Sequence, residues 1–114
     1  MFIDAHQHFW KYNPLEYGWI NDEMAILKQN FLPEQLSQEL KSLEIDGSVV
    51  VQARQTLEET EWLLTLANEY EFIKGVVGWV DICSDEIEMQ LNKLSKNKKD
   101  PSVHSQRVLL CMKC

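Results

Sequence analysis

The sequence predicts an α/β fold in which a parallel sheet is threaded by helical crossovers. Short β-rich runs alternate along the chain with segments whose apolar residues recur at helical spacing. The stretch Ser48-Val49-Val50-Val51-Gln52 is a continuous β-branched run, the pattern of a strand buried on both faces. The 114 residues are 45% hydrophobic and 25% charged with only 4 Gly and 3 Pro, which fits one domain of ordinary size and excludes a disordered tail or a collagen-like repeat.

The elements follow in order. Phe2–Ala5 is short, apolar and β-compatible, and it runs into a histidine-rich turn. A long aromatic and polar stretch from Phe9 to about Phe31 is broken by Pro14 and Gly18 and reads as a loop. Pro33 then suits the first turn of a helix with Leu36, Leu40 and Leu43 at i, i+4 and i+7, and Asp46-Gly47 ends that segment. After the second strand, Thr56 and Glu59 read as a capping box opening a helix with Leu63, Leu66, Ala67 and Tyr70 on one side. Lys74–Val80 reads as a third strand. Ser84, followed by Asp85 and Glu86, caps a last helix carrying Ile87, Leu91 and Leu94.

Composition narrows the partners. Lys+Arg 11 against Asp+Glu 18 gives a net charge of −7, which argues against nucleic acid and anionic membrane surfaces. No apolar run approaches the ~20 residues that span a bilayer, and the first ten residues lack the basic and apolar regions of a secretory signal. The three cysteines, Cys83, Cys111 and Cys114, are odd in number and loosely spaced, so a reducing cytoplasm is expected, with Cys83 a small hydrophobe. Charge and pattern both change near Asn97. Residues 98–114 hold Lys98, Lys99, Arg107 and Lys113 against Asp100 alone, and only Val108–Leu110 is β-compatible. Either this is a basic tail, or the reading frame is abnormal from that point; His104 has no role in either reading.

The strongest chemical signal is Asp4-Ala5-His6-Gln7-His8, an H-x-H at the end of the first strand. Strand alternation puts Asp4, His6 and His8 on one face. Two imidazoles at that spacing can hold one metal ion, while an adjacent carboxylate can orient a ring or shape the local charge. Ligand sites in parallel α/β folds lie at the C-terminal strand ends, where this motif sits. Two polar histidines in a turn are the plainer alternative.

The run from Ile3 to Trp10 resembles the first-strand motif of the amidohydrolase superfamily, in particular the amidohydrolase 2 group of TIM-barrel metal-dependent hydrolases. Within it the likeness is to the branch of L-fuconolactonases and L-rhamnono-lactonases. Tyr17–Ile20, Asn30–Pro33, Gly47–Ala53, Glu58–Glu61 and Gly75–Asp81 resemble that branch in the same order, over about residues 2–97. The resemblance implies the N-terminal part of a (β/α)8 TIM barrel, about three β/α units. It implies His6 and His8 as the first two metal ligands, zinc being the usual ion. It also implies water attack on a lactone or similar ester, with a small-molecule substrate such as a sugar lactone. Gln52 and Arg54, where the second strand should end, become candidates for substrate contact; otherwise they are a backbone-satisfied amide and a solvated charge. Trp79 is core or a substrate platform, and Asp81 belongs to the site or begins the next loop. Trp10, Tyr12, Tyr17 and Trp19 either cover a sugar-like substrate, with Trp10 in contact, or pack the loop on itself.

A TIM barrel needs eight units and about 250 residues. The chain is expected to be incomplete, with the catalytic acid/base Asp beyond its end, residues 1–97 a partial barrel and residues 98–114 a divergent tail. Exposed edges would favour self-association. The competing expectation is a non-catalytic product, either a fragment that associates with another chain or a pseudogene product.

Overall fold

The computed structural model describes residues 1–95 and the backbone of residues 107–113. Strand β1 (Ile3–Gln7) leads through the long loop, which contains a 3-10 turn at Asp22–Leu27, to helix α1 (Pro33–Ser42). Strand β2 (Gly47–Val51), helix α2 (Leu57–Glu69), strand β3 (Ile73–Asp81) and helix α3 (Ile87–Ser95) follow. The α/β alternation is as expected. Strands β1, β2 and β3 pair in parallel in that order.

A fourth strand, β4 (Arg107–Lys113), adds where the sequence shows only a three-residue β-compatible run. It pairs parallel with β3 in unbroken register from Gly75↔Arg107 to Asp81↔Lys113. Strand β3 is nine residues long, so it offers an extended row of unpaired amides and carbonyls for a further strand to satisfy. The basic stretch around Lys98 and Lys99, and His104, lie outside the described residues.

Helices cover one face of the sheet. Val50, Val76 and Val80 pack with Leu63, Leu64, Leu66 and Ala67 of α2 and Leu94 of α3, with Leu36 of α1 against them. Close approach of α2 to β3 requires Gly78, since a Cβ there would lie 2.4 Å from Thr60 Cγ2. The opposite face is only half-covered: Val49 and Val51 of β2 and Val77 of β3 are partly exposed. Strand β2 is therefore not buried on both sides as its β-branched run suggests. Among the described residues every helix lies on one side.

Pro33 opens α1, and Gln35 Oε1 accepts from the Leu32 amide at 2.9 Å. Leu40 is buried, but Leu43 is the helix's C-cap and is 67% exposed. Glu44 follows at φ 57°. The amide of Glu44 donates to the Lys41 carbonyl and that of Ile45 to the Leu40 carbonyl, a Schellman closure. The helix thus stops before Asp46-Gly47. Thr56 caps α2 by accepting from the Glu59 amide at 3.1 Å. The side chain of Glu59 does not return to Thr56 as a capping box would require, but accepts from the Ala53 and Arg54 amides. Cys83 lies in the exposed turn after β3 and is disulfide-bonded, not a reduced small hydrophobe. No helix of the described residues is long and apolar enough to cross a membrane.

Candidate active site

The C-terminal ends of β1 and β2 and the first turn of α2 come together beneath the long loop. At the end of β1 the His6 and His8 Nε2 atoms approach to 3.1 Å, with ring planes at 76°. His8 Nδ1 lies 2.9 Å from the Val51 carbonyl at the end of β2. A carbonyl can only accept, so Nδ1 carries the proton and the Nε2 lone pair of His8 is presented to its neighbour. A tetrahedral ion with Zn–N bonds of about 2.0–2.1 Å separates two nitrogen ligands by roughly 3.3 Å. The pair therefore fits two corners of such a site, with the orienting hydrogen bond that metal-bound histidines generally have.

Asp4 does not orient a ring. Pairing places Asp4 beside Ser48 and Gln7 beside Val50, with an irregularity between them that breaks the alternation of β1. The Asp4 carboxylate accepts from the His6 amide at 3.1 Å, so it braces the backbone of the motif and not a ring. Among the described residues no three His, Cys, Asp or Glu side chains gather as a metal-binding group.

The expected substrate residues are brought near the end of β2. The Gln52 amide donates to the Val77 carbonyl at 2.8 Å, and its Oε1 is buried without a hydrogen-bond partner. Arg54 pairs with Glu16 at 3.1 Å and lies 5.5 Å from the centre of the Tyr17 ring. Its Nε is buried and unpartnered. Trp10 is 8% exposed; it clusters with Tyr17 and Ile20 and donates its indole N–H to the Leu27 carbonyl. Backbone hydrogen bonds in both directions tie it to Phe31. The loop thus packs on its own aromatics, leaving Trp19 half-exposed. Trp79 is partly buried with an unpartnered indole N–H, and Asp81 accepts from the Cys83 amide at the start of the next turn.

Glu59 is a site residue that the sequence concealed. It is 2% exposed, and one oxygen receives the Ala53 and Arg54 amides at 3.0 and 2.9 Å. Burial raises its pKa above the ordinary carboxylate value despite those two donors and the nearby charge of Arg54. Its spacing from Thr56 points to capping, so no local signal marks it.

No family model matches the chain. An L-fucono-1,5-lactonase of Burkholderia multivorans is 39% identical over 85 residues, covering 75% of this chain and 29% of that protein. One from Burkholderia ambifaria is 34% identical over 97 residues, covering 85% and 33% respectively. The crystal structure of a Burkholderia multivorans amidohydrolase with bound zinc superposes with a TM-score of 0.78 at 35% identity, covering 82% of this chain and 33% of that one. Over the matched region this chain is thus amidohydrolase-like in both sequence and fold. More particularly, it resembles the L-fuconolactonase-like branch, as its ordered motifs imply. The chain spans about a third of the length of the curated relatives it matches.

Proposed function

We propose that this chain forms the first-strand metal site and part of the substrate wall of a metal-dependent hydrolase acting on a lactone or similar cyclic ester. The observation that carries the reading is the convergence of His6 and His8 Nε2, with His8 fixed by the Val51 carbonyl. The lactonase relatives and the zinc-bound structural neighbour support it. The parallel sheet and its half-covered face suit the opening arc of a (β/α)8 barrel, with Val49, Val51 and Val77 turned to the barrel interior.

His6 and His8 would hold zinc, which when bound supplies polarisation of a carbonyl and activation of water. Catalytic zinc generally takes three protein ligands. On this reading the third, together with the acid/base carboxylate, comes from polypeptide outside these 114 residues. The chain's own residues prepare the site. Val51 fixes the His8 tautomer, and the Asp4 carboxylate holds the backbone at His6. Gln52 and Arg54 stand at the end of β2, where their side chains are this chain's candidates for orienting substrate hydroxyls. Trp10 backs this wall by anchoring the loop above it.

Zinc titration followed by metal analysis tests the reading, with L-fucono-1,5-lactone hydrolysis measured in parallel. Wild-type chain is expected to retain zinc, and His6→Ala or His8→Ala to weaken retention by at least about tenfold. Zinc retention indifferent to both substitutions would overturn the assignment. Zinc binding without turnover would support the metal site and leave catalysis to added polypeptide.

A further inference from the structure

The long loop between β1 and α1 folds around a core of its own. Trp10, Tyr17 and Ile20 are buried together with Met24, Leu27 and Phe31 against them, apart from the cluster that joins the sheet to its helices. Among the described residues, Ala53 is the one hydrophobic side chain from elsewhere that packs on this second cluster. The loop is also bonded to itself. The Tyr17 amide donates to the Asn13 carbonyl at 2.9 Å, the Ile20 amide to the Tyr17 carbonyl at 3.0 Å and the Trp10 indole to the Leu27 carbonyl at 3.3 Å. Its ends meet at a neck, where Trp10 and Phe31 exchange backbone hydrogen bonds of 3.0 and 2.9 Å. Phe9 and Pro33, on either side of the neck, are fully buried. A loop closed at its ends and packed by its own side chains is a compact unit. Between that unit and the fixed residues outside it, the neck is the place where the chain can turn.

The loop meets the body of the molecule differently. A gap of about 250 Å³ separates them, with Lys11, Glu16 and Tyr17 on one side and Glu58, Glu59 and Trp62 on the other. Packed interiors hold few voids larger than a water molecule, so these two surfaces are not interlocked. Charged groups bridge the gap. Arg54, in the turn after β2, pairs with Glu16 at 3.1 Å and lies 5.5 Å from the centre of the Tyr17 ring. The Lys11 ammonium lies 5.8 Å from the centre of the Trp62 ring. The Glu16 side chain is 46% exposed, so water and salt compete for its half of the ion pair. The Arg54 side chain is only 19% exposed. The loop's internal contacts are thus apolar and backbone-bonded, whereas its ties to the body can be exchanged for water at small cost.

We propose that residues 11–30 form a flap that lifts as a unit about the Trp10–Phe31 neck, with Arg54 as the catch that Glu16 and Tyr17 hold. Shut, the flap keeps the Arg54 guanidinium on Glu16. Lifted, it frees that guanidinium at the end of β2. The flap stands on packing and geometry alone; that the freed Arg54 then meets substrate rests on the hydrolase reading.

Relaxation-dispersion and hydrogen-exchange NMR of the full 114-residue chain, without metal or substrate, tests the proposal. The Trp62 indole and the Arg54 Nε–H are expected to report one shared opening rate. The Trp10 indole, bonded to Leu27 inside the flap, should stay protected through those openings. Raising the salt from about 0.05 M to about 0.5 M should enlarge the open population by screening the catch. Glu16→Gln should enlarge it by up to about fivefold, the worth of an exposed ion pair, and remove most of the salt response. The salt series on wild-type chain keeps the proposal testable if that variant does not fold. Absence of opening at Trp62 and Arg54, a salt response unchanged in Glu16→Gln, or loss of Trp10 protection in the same step would each overturn it; the last would mark local unfolding of the loop. Zinc retention is measured separately. Opening in a chain that retains no zinc would sustain the flap and remove the hydrolase reading, whereas zinc held by His6 and His8 without opening would overturn the flap alone.

Discussion

The hydroxyl of Thr60 accepts from the Trp79 amide at 2.8 Å and lies 2.8 Å from the Trp79 carbonyl, in a position with no solvent exposure. It satisfies backbone groups of β3 beyond the end of β2. Thr60→Val keeps the shape and removes that partner, so it should cost about 1–3 kcal/mol in urea denaturation. An unchanged midpoint would show that the strand finds another partner. Glu59 gives a pH prediction. Its folded-state pKa is raised, chiefly by burial. The protonated form is therefore the better tolerated one, and the folded chain binds more protons than the unfolded chain in the interval between the two pKa values. Its contribution is fully present below the ordinary carboxylate range and is lost as pH rises through the folded value. Glu59→Gln should gain stability relative to wild type across that rise, and thermal midpoints at acid and neutral pH would show it. A constant difference would refute the assignment. Nothing in the order Thr56, Leu57, Glu58, Glu59 shows that this carboxylate reaches the Ala53 and Arg54 amides. That partner choice depends on how the turn after β2 folds back.

Helix α1 closes on a residue poorly suited to its place. Glu44 sits in the left-handed region at φ 57°, where a Cβ crowds the following carbonyl. Glu44→Gly should therefore stabilise the chain by about 0.5–1 kcal/mol, the relief of that crowding reduced by the extra unfolded-state freedom of glycine. Loss of stability on this substitution, read from the denaturation midpoint, would mean that the Glu44 side chain contributes contacts. The beginnings of the helices were legible: Pro33 and Thr56 have few alternative uses just before helical spacing. Their ends were less so, because Leu43 fits the periodicity and only the Schellman closure excludes it. Strand β4 was hidden for a related reason. Its short apolar run becomes a seven-residue strand only against the matching edge of β3.

At the scale of the molecule, the sheet has one face packed by helices and another that leaves Val49, Val51 and Val77 partly exposed. Ile3 and Phe2 add exposed apolar surface along β1, at 36% and 74% exposure. Exposed apolar surface on a sheet binds hydrophobic dyes and partners. The native chain is expected to enhance the fluorescence of anilinonaphthalene sulfonate, and Val51→Lys with Val77→Lys to reduce it; no enhancement by native wild-type protein would show that this face is covered.

The sequence alone determined the α/β alternation, the parallel connectivity, the H-x-H at a strand end and the lactonase-like order of motifs. These rest on residues close together in the chain, whose periodicity and spacing are local properties. Only the tertiary structure decided that His8 is fixed by Val51, that Trp10 faces its own loop, and that Glu59 turns to the Ala53 and Arg54 amides. Each of those outcomes depends on partners from another part of the chain. Hydrogen-bond satisfaction is settled only when the elements dock.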